Sequence, residues 1–228
     1  MQASPLIPII LVLLFTSTEA IADKKADALY EQAIRMHGSA PIEQVFDLYA
    51  RAAENGNAAA QYTIAMMYSN GEAVNVDYQQ AVYWFRKSSD QNFAPAKYRL
   101  GELYYFGMGG LEQNTTMAAG LFKHGAELGD ADAQMNYAMI LATGAGRPVD
   151  KETALYWMAQ AREGGHEGAR QYAELLNASE SEGLGAQLGQ QYWEQQKSYW
   201  VEMAAAFGVR EAEEVVDESN GPDETGKR

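Results

Sequence analysis

The 228-residue sequence has no cysteine, only three histidines, and 17 basic residues against 31 acidic ones. The missing cysteine removes any disulfide framework, thiol nucleophile or thiolate metal site. His37, His124 and His166 lie far apart, and none has a partner at metal-ligand spacing. The stretch "HEGAR" at 166–170 lacks the second histidine that a zinc-binding helix needs. A formal charge of −14 argues against nucleic acid, whose phosphates call for a basic face, and against an anionic membrane surface. No phosphate-cradling glycine loop and no Gly-x-Ser-x-Gly elbow is present. These shortages leave no catalytic constellation, so the chain reads as a non-enzyme with no cofactor and no metal.

Long apolar runs are scarce as well. The only one is Leu6 to Phe15, about half the roughly 20 residues that a bilayer span takes. It fits the core of a secretory signal, although only the N-terminal amine supplies positive charge ahead of it. Ala20-Ile21-Ala22 gives a small-x-small cleavage site before Asp23. The expectation is a signal peptide at 1–22 and an exported chain, periplasmic or secreted, with no membrane span after cleavage. In a chain without cysteine a bacterial periplasm is the expected compartment. The sequons at Asn114 and Asn177 then read as chance.

What the chain does have is a period. Tyr-Trp occurs at Tyr83-Trp84, Tyr156-Trp157 and Tyr199-Trp200. Eight residues after each Trp stands a residue suited to a left-handed helix end: Asn92, Gly165 and Gly208. Gly56 and Gly129 belong to the same series, with Leu48 and Leu121 where Trp would be, giving spacings of 36, 37, 36 and 43. About four residues past each end comes Ala60, Ala96, Ala133 or Ala169. A first helix then runs to Gly71, Gly107 or Gly144, with a small residue (Ala65, Gly101, Ala138) where a neighbouring helix comes close. Asp77, Asn114 and Asp150 follow as caps of a second helix. Ala81, Ala118 and Ala154 let that helix pack tightly, and Trp84 and Trp157 are expected to fill the gap between units. No such unit buries its apolar stripe alone; stacking does so.

The pattern A-x-x-x-L-G-x-L-Y-x-x-G, V-x-x-D, A-x-x-W and G closely resembles the Sel-one-like repeat, a branch of the tetratricopeptide superfamily. The resemblance implies an all-α, right-handed α-solenoid of stacked helix–loop–helix repeats. The repeats fall at 57–92, 93–129, 130–165 and 166–208, after a helical lead-in or cap at 23–56. Residues 209–228 read as the charged start of a terminal cap followed by a disordered acidic tail. Two departures stand out. The second repeat has one extra loop residue in "GMGGLEQN". The fourth has seven extra residues around "NASESEGLGAQLGQ", read as a longer loop after a first helix ending near Leu176.

Arrays of this family curve, and their first helices line the concave side. The positions off the packing stripe are Tyr62, Tyr98 and Met135, then Met66, Glu102 and Met139, then Ser69, Tyr105 and Ala142. Aromatics and methionines there can bind a partner, or they can complete the core between units. Tyr192 and Trp193 lie in the inserted segment and have no counterpart elsewhere, whereas Trp200 takes the repeat's core position. The functional expectation is a protein–protein interaction scaffold or adaptor. The alternative is a periplasmic glycan- or peptidoglycan-binding module, since concave aromatics also stack on a cell-wall polymer. A hydrolase has the least support. Some cysteine-rich relatives are linked to penicillin binding and weak hydrolysis, but they are disulfide-stapled, so that activity is not carried over.

Overall fold

The computed structural model describes residues 23–145, 147–178 and 182–206, which form ten helices and no strand. Helix α1 covers 23–36. It is followed by α2 (Ile42–Glu54), α3 (Ala58–Asn70), α4 (Tyr78–Asp90), α5 (Ala94–Phe106), α6 (Thr115–Glu127), α7 (Ala131–Thr143), α8 (Lys151–Glu163), α9 (Ala169–Ala178) and α10 (Glu182–Ala206). The expectations for the signal peptide, the Trp200 side chain, Gly208 and the acidic tail lie outside the described residues. The array is an all-α solenoid. Every helix from α2 to α8 is 13 residues long, so units differ only in their loops.

The same local chemistry sets each boundary. Asn57, Asp77, Asn114, Asp130 and Asp150 each accept a hydrogen bond from the amide three residues on. Second helices close at Gly56, Asn92, Gly129 and Gly165, all at positive φ. Just past each closure an amide (Asn57, Phe93, Asp130, His166) reaches back five residues to a carbonyl (Ala52, Ser88, Gly125, Ala161) at 2.9–3.3 Å. First helices close at Gly71, Gly107 and Gly144. The loop after each then folds back: the amides of Asp77, Asn114 and Asp150 donate to the carbonyls of Tyr68, Tyr104 and Leu141 at 2.7–2.9 Å.

Three apolar clusters form a nearly continuous core. Trp84 packs against the first two, and Tyr104 and Phe106 pack against the second and third. Trp84 therefore spans two clusters as expected, yet it and Trp157 are only half-buried. The deeply buried knob is the residue after the Trp position: Tyr49, Phe85, Phe122 and Met158. Gly101 shows why a small residue faces that knob, because a Cβ there would lie 2.6 Å from the Phe122 ring. A further tie repeats beneath the stripe. The side chains of Gln61, Lys97 and Gln134 donate to the carbonyls of Ala53, Ser89 and Ala126 at 3.0, 2.7 and 3.3 Å. Lys97 is buried, and burial lowers its pKa, with Asp90 opposing.

The lead-in is helical as expected, whereas the last unit departs from expectation. The lead-in is a full helix pair, α1 and α2, with its own share of core. The seven extra residues of the last unit do not make a long loop. They lengthen its second helix, α10, to 25 residues. α10 packs against α7 as well as α9.

Two stability measurements test this register. Asn92→Gly should be neutral or slightly stabilising in urea melts, and Asn92→Val should cost about 1–2 kcal/mol, because a β-branched residue resists φ of 61°. Lys97→Gln should be tolerated, since glutamine makes the same bond in both neighbouring units. Lys97→Met should cost about 0.5–1.5 kcal/mol by removing one of the two donors to the Ser89 carbonyl, which keeps the Asn92 amide.

Candidate functional site: the first-helix face and the helix that covers it

Tyr62, Met66, Tyr98, Glu102, Tyr105, Met135 and Met139 lie on the first helices α3, α5 and α7, but most are not open, and Tyr192 and Trp193 lie on α10. Met135 and Met139 are fully buried in the core around α7. Tyr98 is buried, and its hydroxyl donates to Glu102 Oε1 at 2.9 Å. Glu102 is 0 % exposed and pairs through Oε2 with Arg99 Nη1 at 2.9 Å. Arg99 also hydrogen-bonds Tyr62. Tyr62 is half-buried against Phe85 and Phe93, and Met66 beside it is half-buried too. Of the last set, Ser69 and Ala142 are buried, and Tyr105 is half-buried.

The cover over repeats two and three is α10. Its buried stripe is Leu188, Gly189, Tyr192 and Trp193, while Gln187, Gln190, Gln191, Glu194, Gln195 and Ser198 face outward. Gly189 passes so close to α7 that a Cβ would lie 1.8 Å from Thr143 Cγ2. The Tyr192 hydroxyl donates to Asn136 Oδ1, inside the α7 stripe. Trp193 stacks on Tyr105 with ring centres 3.8 Å apart and an interplanar angle of 21°. Its other neighbours are Phe122 at 6.1 Å and Phe106 at 6.2 Å. The inserted aromatic pair that lacked a counterpart is thus the anchor of a docked helix.

The electrostatics match this enclosure. Burial pushes the Tyr98 hydroxyl well above its usual pKa, and the Glu102 carboxylate adds to the rise. Tyr192 shifts the same way, by burial first and then by Glu102 and Asp132. Burial works to lower the Arg99 pKa, but Glu102, Tyr98 and Tyr62 outweigh it and hold the guanidinium charged. Such a set can position a helix, but it offers no nucleophile–base pair. Among the described residues no three His, Asp or Glu side chains gather as a metal site, and no helix is long and apolar enough to cross a membrane. Alongside α10 runs an open groove of about 710 Å³ between Trp193, Glu194 and Lys197 on one side and Tyr105, Leu111 and Gln113 on the other.

Sequence reasoning missed Arg99, Asn136, Thr143 and Gly189. Gly189, Tyr192 and Trp193 do stand at i, i+3 and i+4, the spacing of one helix face, and that signal was available.

Comparison with known proteins agrees with this geometry. The Sel1 repeat matches residues 46–57, 58–93, 94–130 and 131–166, more than half of the chain, and the matched segments end before α9 and α10. Chitin synthase regulatory factor 3 of Schizosaccharomyces pombe is 28% identical over 148 residues, covering 64% of this chain and 16% of that protein. An exopolysaccharide production negative regulator of Rhizobium leguminosarum bv. viciae is 24% identical over 154 residues, covering 62% of this chain and 58% of the regulator. This chain therefore spans well under two thirds of either relative. Among solved structures, a protective antigen of uropathogenic Escherichia coli with an SLR fold superimposes with a TM-score of 0.61 at 26% identity, over 85% of this chain and 39% of the antigen. A Sel1 repeat protein from Oxalobacter formigenes gives 0.62 at 22% identity, over 94% and 87% of the two chains.

The buried pair yields a double-mutant test. Glu102→Ala should cost about 3–5 kcal/mol in urea melts by leaving Arg99 without its buried carboxylate. Replacing both partners, with Arg99→Met and Glu102→Leu, should cost clearly less than the single change.

Proposed function

Because the chain belongs to the Sel1 repeat family, we propose that it is an exported adaptor that binds a protein partner in the cell envelope. The observation that carries this reading is a helix held on the first-helix face by Tyr192 and Trp193, outside the matched repeats. Grooves of this kind take amphipathic helices through a few buried anchors. The short apolar run with Ala20 and Ala22 supports export. Two relatives from distant organisms are named for control of polysaccharide synthesis. On that ground the process served is control of a polysaccharide-producing assembly. The glycan-binding alternative has less support, because Trp193 and Tyr105 stack on each other and present no flat platform.

Immobilised protein starting at Asp23 should recover a protein from envelope extracts and no wall polymer. Met66→Lys on the half-buried part of the face should weaken that capture by about tenfold or more without moving the urea midpoint much. Recovery of a wall polymer alone would overturn the adaptor reading. Mass spectrometry of the protein from its host should find Asp23 as the first residue, and an intact Met1 would reject cleavage. Deleting the gene should shift exported polysaccharide, and an unchanged amount would remove the link to that process.

A further inference from the structure

We propose that the first-helix face of repeats two and three is a docking groove for a helix with a small-x-x-aromatic-aromatic stripe, that α10 fills it in cis, and that a partner helix of that pattern enters by displacing α10. The inference deepens the adaptor reading above and rests on it.

The contacts define what the groove accepts. A residue without a side chain must sit against Thr143, as Gly189 does. Three residues on, a hydroxyl must reach Asn136, as that of Tyr192 does. The next residue must be a flat ring able to enter between Tyr105 and Phe122, as Trp193 does. Leu188 adds apolar contact beside these three, and the outward-facing residues among the described side chains are glutamine, glutamate and serine.

Three features make α10 a replaceable occupant. First, it lies outside the matched repeats, which end at 166. The repeated tie from the first helix to the preceding carbonyl also stops there, because the equivalent residue, Arg170, is exposed and pairs with Glu174 in its own helix. Second, the docked state leaves buried polar atoms unpaired: Asn136 Nδ2 and Trp193 Nε1 have no hydrogen-bond partner. An occupant that satisfied them would dock more tightly. Third, Gly183, Gly185 and Gly189 fall within α10. Glycine is a poor helix former, so α10 draws its helicity from docking, and a released α10 is poised to melt. The open groove beside Trp193 gives a competitor an edge from which to enter.

The test uses a labelled peptide with the sequence of residues 182–206 and the chain from Asp23 to its C-terminus. In the wild-type chain the cis helix competes, so peptide binding should be weak. The chain carrying Gly189→Leu, whose side chain would collide with Thr143, should bind the wild-type peptide about tenfold or more tightly. Its amides at 135–143 should exchange faster and regain protection when peptide is added. A peptide carrying Trp193→Ala should not bind. A chain carrying Trp193→Ala gives a second route to release and should gain peptide affinity in the same way. Equal peptide affinity for wild-type and variant chains would overturn the proposal. So would loss of cooperative melting in both variant chains, because α10 would then be an integral part of the core. If envelope capture persists but excess peptide does not compete with it, the adaptor reading stands and this inference falls.

Discussion

The left-handed closure of each second helix governs the rest of this structure. Gly56, Asn92, Gly129 and Gly165 turn the chain with the same backbone geometry, and the five-residue back-bond past each one fixes where the next helix starts. Rigid closures, joined to helices of constant length, make each unit a copy of the last. Constant geometry sets Phe122 against Gly101 and places Phe85 in one cluster with Ala65 and Met158 in one with Ala138. Stability then accumulates unit by unit, since each repeat touches chiefly its neighbours.

Features whose chemistry permits few residue types were legible in the sequence. A left-handed residue favours Gly or Asn, and a cap favours a short oxygen-bearing side chain, so Asn92, Asp77 and Asp150 announce themselves. These residues mark the helix ends and loop positions, and the resemblance to the repeat family supplied the solenoid. Features that many residues can satisfy were hidden. The tie to the preceding carbonyl is made by Gln61, Lys97 and Gln134, and lysine at the middle position breaks the visible pattern while making the same bond. The Tyr-Trp pair drew attention to Trp84 and Trp157 because tryptophan is rare. The deeper knob is its plainer neighbour, which varies among Tyr, Phe and Met. A buried apolar site constrains volume more than identity.

The candidate site was legible as a list and hidden as an arrangement. Tyr62, Tyr98, Glu102, Tyr105, Met135 and Met139 all sit on the first-helix side, as the repeat register required. Local periodicity could not show that a segment some 50 residues later returns to cover them. The insertion read as a longer loop because the last unit has seven extra residues, and Gly183, Gly185 and Gly189 within it disfavour an isolated helix. Tertiary contact overrode that preference at Gly189, where the absent side chain is the condition for approaching Thr143.

The same contact explains why an acidic, cysteine-free array needs α10 at all. The first helices α5 and α7 carry a stripe of Tyr98, Tyr105, Met135 and Met139, which shares one core cluster with Tyr192 and Trp193 of α10. Left open, that stripe would be an apolar patch of the kind that marks a binding surface or an aggregation hazard. Repeat arrays commonly end in a cap that covers only the final unit. Here α10 reaches back to repeat two through Trp193 on Tyr105, so it covers the first-helix face. A cap that only closed the array would need contacts to α8 and α9 alone. Stacking on α5 and hydrogen bonding to the middle of α7 are the contacts of a bound helix, which ties the stability of the free chain to the recognition chemistry of its binding face.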